Sequence, residues 1–219
     1  IDKCNLRCLY CMPHGLVNPT RLSELLTNDE LVELAMLFAE LGIAKIRLTG
    51  GEPLLRPGLV ELVGRLAEIP GIRTLAMSTN GVLLARHAST LKRAGLQRVN
   101  VSLDTLSREK FAAITGADHW QAVVEGIAEA KAVGLHPVKV NAVLMKGIND
   151  DEILALVAFA IEQAVELRFI EWMPTNPLVD LTREGRFLSN DVARHAIEER
   201  YRLLPDDPDP HSPARSFLI

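Results

Sequence analysis

Ala44-Lys45-Ile46-Arg47-Leu48-Thr49-Gly50-Gly51-Glu52-Pro53 is the stretch that decides the fold. Apolar and polar residues alternate at period two as far as Thr49, as in a half-buried strand, and the run then breaks at two glycines and a proline. The same unit recurs along the chain. Strand-like runs at 74–78, 98–103, 137–144 and 166–172 alternate with apolar residues at helical spacing. Leu59, Leu62, Val63 and Leu66 mark one helix, and Leu84, Ala88 and Leu91, closed by Gly95, mark the next. Val123, Ile127 and Ala130 mark a third, and Ile153, Leu156, Val157 and Ala160 a fourth. Strand–helix alternation of this kind builds parallel βα units with right-handed crossovers, in a Rossmann-like sheet or a barrel. The punctuation chooses between them. Gly50-Gly51-Glu52-Pro53, Ser78-Thr79-Asn80-Gly81, Ser102-Leu103-Asp104, Asn141 and Trp172-Met173-Pro174 all fall at or near C-terminal strand ends. Those ends share one rim in a barrel, where active sites are built, whereas an open sheet spreads them along an edge. The expectation is an α/β chain of the TIM-like, partial-barrel kind.

Upstream of that strand, every cysteine of the chain lies within Cys4-Asn5-Leu6-Arg7-Cys8-Leu9-Tyr10-Cys11. Three thiolates on a short loop wrap one face of a four-iron cluster and leave one iron open to a non-protein ligand. A zinc site wants four ligands, usually in pairs far apart in sequence, and would have to recruit His14 into a very short segment. A disulfide would leave one of three thiols over. A barrel needs a strand before this loop, just ahead of Ile1. Restoring it gives six βα units, a (β/α)6 partial barrel whose first strand is missing.

The bulk composition excludes other classes. The 219 residues are 48% hydrophobic and 24% charged, ordinary for one well-filled globular domain. With a formal net charge of −4, the chain has no basic stripe of the kind a nucleic-acid backbone requires. No apolar run is long enough for a membrane span. Free cysteines without a visible targeting segment point to the cytoplasm.

Between the cysteines and the first strand, Thr27 and Glu30 form a capping box for a helix carrying Leu31, Leu34, Ala35 and Phe38, with Gly42 at its end. Thr175-Asn176-Pro177-Leu178 begins a loop, and Ser189-Asn190-Asp191 caps a helix through Tyr201. Pro205-Asp206-Asp207-Pro208-Asp209-Pro210 is an acidic, proline-rich linker, and Phe217-Leu218-Ile219 resembles the start of a strand. The expected division is therefore a barrel over 1–204, followed by a linker and the truncated start of a C-terminal segment over 205–219.

Several segments carry a resemblance. The cysteine motif with Met12-Pro13, Arg47 to Arg56, Thr79-Asn80-Gly81, Asn100 to Asp104, Lys146-Gly147-Ile148-Asn149-Asp150 and Arg168-Phe169-Ile170-Glu171 resemble the GTP 3′,8-cyclases of molybdenum-cofactor biosynthesis. These are radical S-adenosylmethionine enzymes, lyases that convert GTP to 3′,8-cyclo-7,8-dihydro-GTP. The resemblance implies a [4Fe-4S] cluster on Cys4, Cys8 and Cys11, and S-adenosylmethionine held by Tyr10, Gly51, Ser102 and Met173. Glu52 would stand near the cofactor's ammonium, and the glycines would let backbone approach its methionyl end. GTP would meet Arg47, Lys139 and Ser78, the last a position where the family usually has threonine. The two cations lie inside apolar strand runs, and point either into a polar lumen or outward between helices.

The resemblance also implies a second [4Fe-4S] cluster on three cysteines of a C-terminal segment. No cysteine follows Cys11, so the chain reads as part of a longer protein or as a variant without that cluster. An electron donor such as flavodoxin or ferredoxin is the implied partner, and a homodimer is compatible. Two rival readings remain at this stage: a radical S-adenosylmethionine enzyme acting on another small molecule or a peptide, and an iron–sulfur electron carrier or redox sensor. Arg47, Lys139 and the 146–150 motif speak against the first. A Gly-Gly-Glu-Pro rim would be without use in the second.

Overall fold

Five parallel strands stand side by side in the order in which the chain makes them: β1 (Lys45–Leu48), β2 (Thr74–Thr79), β3 (Arg98–Ser102), β4 (Val138–Val143) and β5 (Glu166–Ile170). A doubly wound sheet reverses its strand order at a switch point, and this one does not, so each crossover carries the sheet on in the same direction, as in a barrel. Among the described residues β1 and β5 are its two edges. The computed structural model describes residues 1–15, 20–173, 179–180, 182, 185–206 and 214–219. Ile1 and Lys3 run along the exit of β1, their carbonyls accepting from the Gly51 and Glu52 amides at 2.8 Å each.

The register separates two faces. Ser78, Asn100, Lys139 and Glu166 form one row across β2 to β5, and Ser102, Asn141 and Arg168 form the next. Their neighbours at odd spacing, Leu75, Met77, Val99, Val101, Val138 and Val140, join the core. That core is closed by α2 (Leu59–Ala67), α3 (Leu84–Arg93) and α5 (Trp120–Ala132), whose Leu62, Leu84, Leu91 and Val123 are at most 1% exposed. Burying each such side chain contributes about 1.5–3 kcal/mol. A second cluster lies between α6 (Ile153–Gln163) and α7 (Asn190–Glu198), around Leu144, Val157 and Ile197.

The helix before β1, α1 (Asn28–Glu40), has the expected capping box: the Thr27 hydroxyl accepts from the Glu30 amide, and Glu30 accepts from the Thr27 amide at 2.7 Å. Its packed face differs from the expected one. Val32 and Ala35 are buried, with Leu31 and Ala39 packed beside them, while Leu34 and Phe38 are exposed. The helix is apolar nearly all round, so its spacing admits more than one packed stripe. The helix α4 (Arg108–Thr115) was not read from the sequence, although Ser107 caps it and Phe111 and Ile114 are buried.

At the C-terminal end α7 is capped by Ser189 and stops short of Tyr201, and β6 (Leu204–Pro205) pairs antiparallel with β7 (Phe217–Leu218). The strand expected at Phe217 is therefore present. The loop at Thr175 to Leu178 and linker residues 207–210 lie outside the described residues. No helix among the described residues is long and apolar enough to cross a membrane.

Candidate active site

The cysteine loop is a short segment fastened from three sides. The amides of Arg7 and Leu9 donate to the carbonyls of Thr115 and Ile114 at the C-terminal end of α4, at 2.8 and 2.9 Å. Leu9 and Tyr10 pack against Ile114, Met145, Trp172 and Val179. The Trp172 indole donates to the Tyr10 carbonyl at 3.3 Å, and the Tyr10 hydroxyl donates to Asp104 at 2.8 Å. Within the loop the amides of Cys11 and Met12 both turn back to the Cys8 carbonyl at 3.0 Å. Such a loop holds its sulfurs in place before anything binds.

Cys4, Cys8 and Cys11 are half-buried thiols outside any disulfide. Burial pushes the Cys8 thiol up to about 12, helped by Asp104 and by the other two cysteines, and it pushes Cys11 up as well, with Cys4 adding to it. The mutual influence means that the three sulfurs neighbour one another. Thiols this reluctant to ionise alone are what a bound cation deprotonates. No group of three or more His, Cys, Asp or Glu side chains converges on a single ion among the described residues, and His14 is exposed, so the four-ligand zinc arrangement is not built. A cubane asks for something else, with each thiolate binding its own iron, and three neighbouring half-exposed sulfurs fit it.

Across from this loop lies the turn after β1. A side chain on Gly50, at φ +147°, would overlap the Ile1 carbonyl, and one on Gly51 would overlap those of Asp2 and Lys3. The glycines therefore make room for the segment that leads into the cysteines. Glu52 faces inward at 0% exposure. One oxygen accepts from the Leu54 amide at 3.0 Å and the Thr79 hydroxyl at 2.7 Å, and the other from the Asn80 amide at 2.8 Å. Its carboxylate ties the exits of β1 and β2 together. Burial raises its pKa against those three donors.

Asp104, just beyond β3, does similar work. It accepts from Tyr10 and, at 2.8 Å, from the Val143 amide, and burial raises it to about 6. Asn149 locks the next turn, donating to the carbonyls of Asp104 and Val143 and accepting from the Met145 amide. The 146–150 motif is thus a brace for the rim. Ser102 closes β3 opposite Asn141, whose side-chain oxygen is buried without a partner. Met173 follows the buried Trp172 and is 66% exposed.

The face turned away from the helices is cationic. Arg47 points there and donates to Ser78 at 3.4 Å, and Lys139 forms an ion pair with Glu166. Burial lowers the Lys45 pKa, and so do Arg47, Arg98, Lys139 and Arg168, so all five cations share one field. Arg47 is likewise lowered by burial and by Arg168. Glu166 answers two of them, lying 3.9 Å from Arg168. The sequence reading singled out only Arg47 and Lys139. The strand parity of Lys45, Arg98 and Arg168, each followed by an apolar residue of its strand, was the available signal for the others.

Residues 1–160 match the model of the Radical SAM superfamily. Along its whole length the chain is 47% identical to the GTP 3′,8-cyclase of Thermodesulfovibrio yellowstonii, covering 68% of that protein. It is 44% identical to that of Peptoclostridium acidaminophilum and 45% to that of Streptomyces coelicolor, covering 66% and 64% of them. The chain thus spans about two thirds of the length of these relatives. Among solved structures, Streptococcus suis SuiB bound to S-adenosylmethionine superposes with a TM-score of 0.69 at 18% identity, over 91% of this chain and 46% of that one. HydG, a maturase of the [FeFe]-hydrogenase, also gives 0.69, at 14% identity over 90% and 46%. At these identities the likeness is one of fold.

Proposed function

Because this chain belongs to the GTP 3′,8-cyclase family of the radical SAM superfamily, we propose that it forms the catalytic barrel of an enzyme converting GTP to 3′,8-cyclo-7,8-dihydro-GTP for molybdenum-cofactor biosynthesis. The observation that carries this reading is the field of Lys45, Arg47, Arg98, Lys139 and Arg168 on the barrel's inner face, on the sheet whose rim holds the three-cysteine loop. A triphosphate is the ligand that so many neighbouring cations suit.

Cys4, Cys8 and Cys11 hold a [4Fe-4S] cluster, and Tyr10, Gly51, Ser102 and Met173 line the place of S-adenosylmethionine. Once bound, the cluster and S-adenosylmethionine would supply one-electron radical chemistry directed at the ribose of GTP. The chain's own part is positioning. Arg47, Lys139 and Ser78 grip the triphosphate, and Lys139 exchanges part of its contact with Glu166 for phosphate oxygen. Each charge-assisted contact contributes about 1.5–3 kcal/mol. The unpartnered oxygen of Asn141 offers an acceptor on the same face. Trp172, Met145 and Ile114 keep water from behind the cysteine loop. An electron donor such as flavodoxin or ferredoxin supplies the electron, and the reduced thiols suit the cytoplasm.

Anaerobic reconstitution with iron and sulfide, followed by chromatography after incubation with dithionite, S-adenosylmethionine and GTP, tests the reading. The protein should yield 5′-deoxyadenosine, and Cys4→Ala, Cys8→Ala and Cys11→Ala should each abolish it together with the cluster's optical spectrum. A single-cysteine variant that keeps a full, stable cluster would overturn the ligand assignment.

A further inference from the structure

Asn80 leaves the end of β2 with its backbone N–H and both ends of its side-chain amide engaged. Its amide N–H donates to Glu52 at 2.8 Å, and its side-chain oxygen accepts from the Val82 amide at 3.0 Å. A backbone N–H only donates, so the Val82 contact fixes which end of the side-chain amide is oxygen. The NH2 group must then face the cysteine loop, where it meets the Asn5 side-chain oxygen at 2.7 Å and the Cys4 sulfur at 3.7 Å. The Cys4 sulfur receives a second donor, the Leu6 amide, at 3.5 Å.

The Cys4 sulfur is therefore set between two N–H groups, one of them on a side chain that has no freedom to turn away. The three contacts that hold Asn80 come from different places: the turn after β1, the turn after β2 and the cysteine loop itself. A hydrogen bond to a ligating sulfur draws electron density from the cluster and favours the reduced form, which carries one more negative charge. We propose that Asn80 is a positioning residue that raises the reduction potential of the cluster by donating its side-chain N–H to the Cys4 sulfur. This deepens the proposed function and rests on Cys4 being a ligand. Its consequence is an electron-transfer step tuned from the second strand rather than from the cysteine loop alone.

The test is an EPR-monitored redox titration of the reconstituted protein, following the signal that changes when S-adenosylmethionine is added. Asn80→Asp is the decisive variant, because it is isosteric, keeps the oxygen that accepts from Val82 and replaces the donor with a carboxylate facing sulfur. Asn80→Ala removes the donor without adding charge. Both should bind iron as the unaltered protein does and titrate at more negative potential, Asn80→Asp the further. Asn5→Ala, which removes only the other partner of the NH2 group, should leave the midpoint unchanged. Asn80 variants of full iron content with the original midpoint overturn the role of Asn80 and leave Cys4 ligation standing. A protein that takes up no iron before any substitution overturns both.

Discussion

The two faces of one strand, β4, differ more than most pairs of domains do. Val138, Val140 and Ala142 point into the helices and are at most 4% exposed, whereas Lys139, Asn141 and Val143 between them are half-buried on the open face. The first set is interchangeable with any residues of similar volume and apolarity. The second is a particular arrangement of charge, with Lys139 next to Asn100 and Glu166 in register and Asn141 next to Ser102 and Arg168. A period of two thus lets one strand spend alternate residues on the apolar core and on a charged open face. The cationic face contributes little to holding the fold together, since its charges mostly repel one another.

That contrast breaks most visibly through the core. Met77→Ala on β2 empties a fully buried site and should cost about 2–5 kcal/mol in denaturant unfolding, while the remaining folded protein binds GTP unchanged. A large loss of GTP affinity at saturating folded fraction would show that the faces are coupled.

Substitution across the sheet should do the reverse. Arg47→Ala or Lys139→Ala should weaken GTP binding by roughly tenfold or more, equivalent to about 1.5–3 kcal/mol, with S-adenosylmethionine affinity nearly unaltered. Calorimetric titration of both ligands distinguishes this from general loosening.

Glu52 stands between the two cases, a charged residue with a structural task. Glu52→Gln should cost about 1–3 kcal/mol near neutral pH, because the new NH2 must face the donor that Glu52 now satisfies, either the Asn80 amide or the Leu54 amide and Thr79 hydroxyl. The pH dependence has a definite sign. Burial raises the folded pKa above the usual 4.5, so the folded chain binds this proton more tightly than the unfolded one. Stability from that group is present at low pH and falls as pH climbs from about 4.5 through the folded value. The Gln variant should lack that part of the slope in urea unfolding measured across pH.

The smallest effect is the sharpest control. Lys139→Ala should change unfolding free energy by no more than about 0.5 kcal/mol, because the ion pair to Glu166 that it loses is offset by relief of its repulsion with Lys45. A loss of several kcal/mol would place Lys139 among the residues that hold the barrel together.

Much of this division was legible from strand parity. Arg47 and Lys139 stood out because a cation in an apolar run demands an explanation, and the punctuation at Gly50, Asn80, Asp104 and Met173 marked the rim before any coordinate. The (β/α) succession was legible for a similar reason: parallel strands are short apolar runs ended by turns. Other features were not. The packed face of α1 was misread because Leu34, Phe38, Val32 and Ala35 all satisfy some helical spacing, and only the neighbouring helix and strand choose among them. The inward turn of Glu52 depends on donors from residues 54, 79 and 80, a convergence that no local pattern encodes. The grouping of Lys45, Arg98 and Arg168 with the two marked cations depends on register between strands, which is a property of the sheet.

The most direct test of the central claim, that the polar face of the sheet is a triphosphate site, is a comparison of GTP, GDP, GMP and guanosine binding by calorimetry at fixed ionic strength. Affinity should fall with each phosphate removed, by roughly tenfold or more in all between GTP and GMP, and the fall should shrink in Arg47→Ala and Lys139→Ala. Guanosine binding as tightly as GTP, with both variants indifferent to the phosphates, would contradict it.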